Sequence, residues 1–372
     1  MNFPRRPYQS RIIKQVVDYY AGDSIRSIMV ESPTGSGKTF MGLHAAQDFK
    51  NDHNDNLMLV WVAMRQHLLH QVVTEKEKFG LNVDLRPLSM FDERGRNALD
   101  KEIQESGRPV MLVLDEAQHD AATTMTDVYQ AVKPDYILGL SATPFRVDKA
   151  KLCFEKQIRD AGIHRLISDG YLSQFDLHMI DEYTPEKVAD CYLAEPEKWG
   201  KSVFYFVNTD QATECHLRLL AGGCKNHLVL GGQSDNDEMI ADFRAGKVNA
   251  LVNCMILTEG FDCPELKTAF VRDSSRGPTM QMGGRVFRLH ESAPRKNIVQ
   301  SQGTKWPMCK TATPEDQYKL VEGRWLSIKP NKKMDAIAQA TIKRVIDNYQ
   351  PLPKYLLGKT KEKKNPFGRQ PE

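Results

Sequence analysis

The sequence predicts an α/β protein of two tandem domains, each a parallel sheet flanked by helices. Two observations carry that prediction. Short apolar runs alternate with helical segments along most of the 372 residues, the pattern left by parallel strands joined through crossover helices. The series then begins afresh near residue 201, after a polar, glycine-bearing crossing at 164–182.

In the first half, residues 27–30, 57–62, 110–114 and 136–140 read as buried strands, each followed by a polar or glycine-bearing turn, with helices at 66–79 and 125–132. The second half offers strands at 202–207, 227–230, 249–253 and 268–271, with helices at 210–220 and 235–245. These place domains at 1–180 and 181–300, followed by an extension over 301–372. That extension carries Trp306, Tyr318 and Trp325 and a helical pattern at 334–349 with Lys343 and Arg344. Its aromatics either close the second core or help hold a strand, and the segment is also a candidate surface for a protein partner.

An apolar fraction of 41% allows two packed cores. No stretch approaches the roughly 20 apolar residues of a membrane span, and the N-terminus lacks the apolar region of a signal peptide. A soluble intracellular protein, cytoplasmic or nucleoid-associated, with no membrane partner is expected. Seven cysteines without a C-x-x-C pair predict reduced thiols. Cys215, His216, Cys224 and His227 are close in sequence but match no zinc module, so they read as packing. The net charge is only +3. Residues 329–372 hold 11 basic and 4 acidic side chains, a balance of +7, which leaves 3 − 7 = −4 for residues 1–328. The basic end is a candidate phosphate-contacting arm or a solvated tail.

Chemistry enters at Ser32-Pro33-Thr34-Gly35-Ser36-Gly37-Lys38-Thr39, between an apolar strand and a helical pattern. Gly35 and Gly37 let the backbone turn and present N–H groups, with those of Thr34 and Ser36, to phosphate oxygens at a helix N-terminus. Lys38 supplies a point charge for the β- and γ-phosphates and Thr39 a hydroxyl for Mg²⁺. Ser32 stands where this pattern usually has Gly, but the Gly-Lys-Thr end is intact. The cofactors implied are ATP and Mg²⁺.

Residues 110–114 deliver Asp115-Glu116-Ala117-Gln118 to the carboxyl end of a strand, where open parallel sheets bind ligands. Asp115 is the candidate metal ligand, and Glu116 the group that orients and deprotonates the attacking water. The next strand ends in Ser141-Ala142-Thr143-Pro144, whose hydroxyls can exchange hydrogen bonds when the nucleotide changes. In the second half, Arg285 and Arg288 are three apart on an expected helix, so both guanidinium groups would face a phosphate chain, with Gln281 on the same face.

The order of these segments resembles the superfamily 2 helicases and nucleic-acid translocases over roughly residues 4–290. Arg6-Pro7-Tyr8-Gln9 is similar to the adenine-reading segment, DEAQ stands in the place of the DEAD or DEAH box, and 281–288 match Q-x-x-G-R-x-x-R. Residues 257–264, LTEGFDCP, resemble the segment that links nucleotide state to the bound strand. The resemblance implies two tandem RecA-like domains with the nucleotide cleft between them, and nucleotide contacts from Arg6, Gln9, Gly260 and Asp262. It implies catalysis by Lys38, Asp115, Glu116, Gln281, Arg285 and Arg288, and coupling through Ser141, Thr143 and Thr258.

It further implies a nucleic-acid track held mainly through phosphate and sugar by Arg65, Gln66, Ser89, Asn208, Thr209, Gln233 and Thr258, although such residues at strand ends also serve as caps and turns. The second half lacks the R-G-x-D and H-R-x-G-R forms of the RNA-acting DEAD-box branch. The combination present looks more like the branch of restriction-enzyme motor subunits and DNA repair helicases, so DNA is expected over RNA.

Overall fold

The computed structural model describes residues 4–119, 123–144, 154–258 and 261–328. The chain divides into two compact units, Met1–Ser327 and Ile328–Glu372. The helix expected at 334–349 and the basic tail lie outside the described residues, so the architecture below is that of the first unit.

Its first sheet is built from β1 (Ser27–Glu31), β2 (Met58–Ala63), β3 (Asp84–Ser89), β4 (Val110–Asp115), β5 (Tyr136–Ser141) and β6 (Lys156–Arg159). They lie in the order β3-β2-β4-β5-β1-β6, every pair parallel. The fully buried β2 shows why these runs are apolar on both faces. Leu59 and Trp61 pack with Ile12, Phe49 and Val72 of the helices Pro7–Ala21, Lys38–His53 and Gln66–Lys78. Val60 and Val62 pack with Leu99 and Val128 of the helices Glu93–Ser106 and Thr123–Val132 on the opposite face.

The second sheet contains β7 (Gln174–Ile180), β8 (Ser202–Phe206), β9 (Asn226–Val229), β10 (Ala250–Cys254), β11 (Thr268–Phe270), β12 (Arg295–Ser301), β13 (Gln317–Val321) and β14 (Arg324–Ser327). Its order is β14-β13-β7-β12-β11-β8-β10-β9, parallel except for the β13–β14 hairpin. Two boundaries therefore move. The segment at 174–180, expected to end the first domain, is β7 of the second sheet. Residues 317–327, expected in an extension, complete that same sheet. The hairpin closes a cage on β7: the His178 ring stacks on Tyr318 at 4.9 Å and meets Trp199 and Trp325 edge-on. Tyr318 and Trp325 thus close a core, one of the two roles the sequence left open for the aromatics of 301–372.

No described helix is long and apolar enough to cross a membrane. Described cysteines are free thiols. Cys215 is buried, and the His216 ring bonds Asn226 at 2.6 Å, which agrees with packing there.

Candidate nucleotide site

Strand β1 ends at Glu31, and the turn that follows is held from behind. The Ser32 amide donates to the Ser141 carbonyl at 2.9 Å, and the Ser32 and Ser36 hydroxyls bond each other at 2.7 Å. The serine that replaces the usual glycine is thus a brace inside the loop. The Ser36 carbonyl accepts from Tyr8 Oη at 2.6 Å and Gln9 Nε2 at 3.0 Å. Gly35 and Gly37 sit at φ of 81° and 83°, backbone that favours glycine. The helix Lys38–His53 begins directly after, so its first amides face the turn.

This loop lines a cavity of about 310 Å³ together with Arg6, Lys38, Thr39, Asp115, Glu116 and, from the second domain, Asp262, Arg285 and Arg288. Thr34, Gly35 and Gly37 face it, but neither Gln9 nor Ser36 does. The Ser36 amide is committed to the Pro33 carbonyl at 3.1 Å. Both residues expected at the nucleotide therefore shape the loop from outside the cavity. Gln281 is likewise not among the lining residues, although it shares the helix Arg276–Gly284.

The acid pair stands opposite the loop. Asp115 Oδ1 accepts from the Glu116 amide at 3.0 Å. Desolvation pushes the Asp115 carboxyl up, with the Glu116 charge adding to it and Lys38 opposing it. A half-buried acid pair offset by one lysine leaves room for a further cation. With the Thr39 hydroxyl these are hard oxygen donors, so the residues fit Mg²⁺ held by few protein ligands plus phosphate. No cluster of three or more metal-binding side chains occurs among the described residues. Glu116 itself sits at φ 52°, a strained position for a non-glycine residue.

From Glu116 a line of hydrogen bonds leaves the site. Gln118 Nε2 donates to Glu116 Oε2 at 3.2 Å, Ser141 Oγ donates to Gln118 Oε1 at 2.6 Å, and the Thr143 amide donates to Ser141 Oγ at 2.9 Å. The side chain of Gln118, to which the sequence reading gave no role, is the link.

Arg285 and Arg288 do not share a helix face. The helix Arg276–Gly284 gives way to a tight turn at Arg285–Phe287, with Arg288 extended beyond it. Two consecutive glycines weaken the helix there. Gly284 is needed because an added Cβ would lie 3.1 Å from Thr34 Cβ, so the two domains touch at this point. Arg285 is buried and donates Nη1 to the Phe261 carbonyl at 3.1 Å and Nε to the Thr258 carbonyl at 3.1 Å. It ties the Thr258 and Phe261 carbonyls together. Arg288 pairs with Asp262, and burial lowers its pKa to about 10. Asp262 Oδ1 is buried without a partner, which fits a hydroxyl donor such as a ribose. Gly260 lies outside the described residues.

Three further polar residues, Gln71, Glu75 and Tyr171, line the cavity, a place the sequence did not give them. Tyr171 stands beneath the Arg6 guanidinium at 5.3 Å and near the Tyr8 ring at 5.4 Å, a flat surface at the cavity edge. Gln71 Nε2 donates to Glu75 Oε1 at 2.7 Å, and burial raises the Glu75 carboxyl. Helical spacing at 71 and 75 was visible, but only the cleft gives it meaning.

The strand-contact candidates are spread over loop ends. Arg65 precedes, and Gln66 opens, the helix Gln66–Lys78. Ser89 is buried at the end of β3. Asn208 caps the helix Thr209–Ala221 by accepting from the Asp210 amide at 2.7 Å, and Gln233 accepts from the Leu230 amide at 2.7 Å. Thr258 Oγ1 donates to the Met255 carbonyl at 3.0 Å. Asn208, Gln233 and Thr258 thus spend side-chain bonds on caps and turns.

Comparison with known proteins agrees with this architecture. Residues 2–91 match the family described as "Type III restriction enzyme, res subunit", and residues 185–290 match "Helicase conserved C-terminal domain". A "51.5 kDa protein" of a Lactococcus phage is 20% identical over 264 residues, covering 64% of this chain and 57% of its own length. The "Putative ATP-dependent helicase IRC3" of Saccharomyces cerevisiae is 25% identical over 229 residues, covering 51% of this chain and 33% of its own. The chain therefore spans about half or less of these relatives. Among solved structures, the "ATP-dependent Type ISP restriction-modification enzyme LlaBIII bound to DNA" gives a TM-score of 0.55 at 15% identity, over 82% of this chain and 28% of that one. "S. cerevisiae Dbp5 bound to RNA and ADP BeF3" gives 0.55 at 14% identity, over 90% and 97%. These two likenesses concern the fold. With both helicase segments matched in the order of the motifs, the chain belongs to the superfamily 2 helicases and translocases.

Proposed function

We propose that the chain hydrolyses ATP in the cleft and uses closure of its two domains to move along, or remodel, DNA. The observation that carries this reading is a single cavity lined by the phosphate loop and acid pair on one side and by Asp262, Arg285 and Arg288 on the other. Thr39 and Asp115 would hold Mg²⁺, which would supply positive charge to offset that of the phosphates. Lys38 binds the phosphate chain, and Glu116 orients and deprotonates the attacking water. Arg288 exchanges Asp262 for the γ-phosphate, so hydrolysis depends on the second domain. Arg285 keeps Thr258 and Phe261 attached to that movement. Gln118 reports the state of Glu116 to Ser141 and Thr143.

DNA is favoured over RNA by Gln281 to Arg288 and the Phe261-Asp262 form, which depart from the RNA-acting branch. The match to a restriction-enzyme res subunit over residues 2–91 favours a second reading, a motor subunit that works within a larger assembly. A displacement assay separates these. ATP-dependent removal of streptavidin from biotinylated DNA, and not from RNA, is expected of the chain alone. Hydrolysis without displacement from any track points to a clamp or a subunit that needs its partner.

A further inference from the structure

The phosphate loop partitions the interdomain cleft. Thr34 faces the nucleotide cavity, whereas its neighbour Pro33 faces a second one of about 410 Å³. Arg159 and Arg165 line this second cavity from the first domain, and Arg276, Trp306 and Lys310 line it from the second. Met280 and Pro33 supply apolar surface beneath them.

Its charge is not balanced. Glu31, the carboxylate in the lining, is 3.6 Å from Arg159 and also accepts from Gln157 at 2.8 Å. Arg165 pairs with Asp169 at 2.8 Å. Arg276 and Lys310 have no carboxylate partner among the described residues. Each instead lies over the Trp306 ring, at 5.5 Å and 5.4 Å. The indole is fixed at its edge, where Nε1 donates to Thr311 Oγ1 at 3.0 Å. A fixed flat ring flanked by two cations without counter-ions suits a base with its phosphate.

The place is distinct from the strand-contact candidates. Those follow β2 and β3 at one end of the first sheet, and β8, β9 and β10 toward one end of the second. The second cavity is fed by β1 and β6 at the other end of the first sheet, and by the loop after β12, on the far side of β11.

We propose that this second cavity binds one nucleotide unit of a single strand, with the base on Trp306 and the phosphates on Arg276 and Lys310. Because Arg159 faces them across the cleft, an occupied site bridges both domains without using the nucleotide cavity. The inference goes beyond ATP hydrolysis and shares with the proposed function only the requirement that a strand is bound.

The test is binding of fluorescein-labelled oligothymidylate to the full chain over a range of salt, with a fluorescent ATP analogue as control. Substituting both Arg276→Ala and Lys310→Ala should lower strand affinity about tenfold and flatten the salt slope by about 1.4, the value for two phosphate contacts on a single strand. ATP-analogue binding should be unchanged. Strand affinity and slope equal to the parent's would overturn the proposal, and no strand binding by the parent would overturn the proposed function with it. Should the double variant not fold, photocrosslinking of 5-iodouracil oligonucleotide to the unaltered chain decides. A crosslink at Trp306 supports the site, and crosslinks confined to other segments refute it. Thymidine monophosphate as competitor separates the two sources of the ligand. Competition only by the oligomer supports a strand, whereas equal competition by the monomer assigns the cavity to a free nucleotide.

Discussion

At the scale of single residues, the site is organised by groups that face away from the ligand as much as by those that line the cavity. Glu116 is held at a strained φ and bonded to Gln118, so two substitutions separate chemistry from communication. Glu116→Gln should bind ATP while lowering turnover by roughly 10²- to 10⁴-fold, the range for a general base, measured as single-turnover hydrolysis; normal turnover would remove the assignment. Gln118→Ala leaves the acid in place but cuts the line to Ser141 and Thr143. It should lower nucleic-acid-stimulated turnover roughly 2- to 30-fold, from a coupling of about 0.5–2 kcal/mol, while basal turnover changes little. Equal losses in both would make Gln118 a structural brace. Local patterns exposed much of this site, because a phosphate loop and an acid pair depend on neighbours in sequence. Gln118, Tyr171 and Glu75 act through partners that only the folded cleft supplies, and so their roles were hidden.

At the scale of elements, legibility followed burial chemistry. The apolar runs of β1, β2, β4 and β5 announced themselves. β7 and β12 did not, because QFDLHMI and RKNIVQS carry polar groups into the interior. Asp176 is paired with Arg295, and Lys296 donates Nζ to the Pro264 and Leu266 carbonyls at 2.9 Å and 2.8 Å. Each partner is remote in sequence, so the run reads as a polar crossing until the sheet forms. His178 on β7 makes a pH prediction. Burial first, then the Lys198 charge, lowers its pKa from 6.5 to about 3. The unfolded chain therefore binds the extra proton between those values, and stability falls as pH drops from about 6.5 toward 3. Between pH 7 and 4.5 the loss should be on the order of 2 kcal/mol. Urea midpoints of the parent should thus fall more than those of His178→Phe, and parallel falls would contradict the neutral caged imidazole. Gly42 in the helix Lys38–His53 tests packing in the same way. An added Cβ would lie 2.9 Å from the fully buried Trp61 ring and 3.0 Å from Leu140. Gly42→Ala should then destabilise by about 1–3 kcal/mol, although alanine favours helices by about 1 kcal/mol. A raised melting temperature would show that the interface has slack.

At the scale of the whole molecule, the two sheets meet at the phosphate loop. Thr34 touches Gly284, and a Cβ on Gly35 would lie 3.3 Å from both Arg288 and Leu172. Loop, arginine and the helix Arg276–Gly284 therefore cannot move independently, and a change in what Arg288 holds becomes a change in domain contact. The expected pair of arginines on one helix face was wrong in a useful way: the sequence placed both residues at the cleft, but glycine-weakened helix geometry divides them, Arg285 bonding the Thr258 and Phe261 carbonyls and Arg288 pairing with Asp262.

In the function proposed above, a nucleic-acid strand drives closure of this cleft around ATP. Steady-state ATP hydrolysis by the full chain, alone and with single-stranded DNA, duplex DNA or RNA at two salt concentrations, tests it most directly, with Lys38→Ala as the inactive control. Strong, salt-sensitive stimulation by DNA is expected, and Lys38→Ala should abolish it. Hydrolysis that no nucleic acid changes, or that survives loss of Lys38, would contradict it.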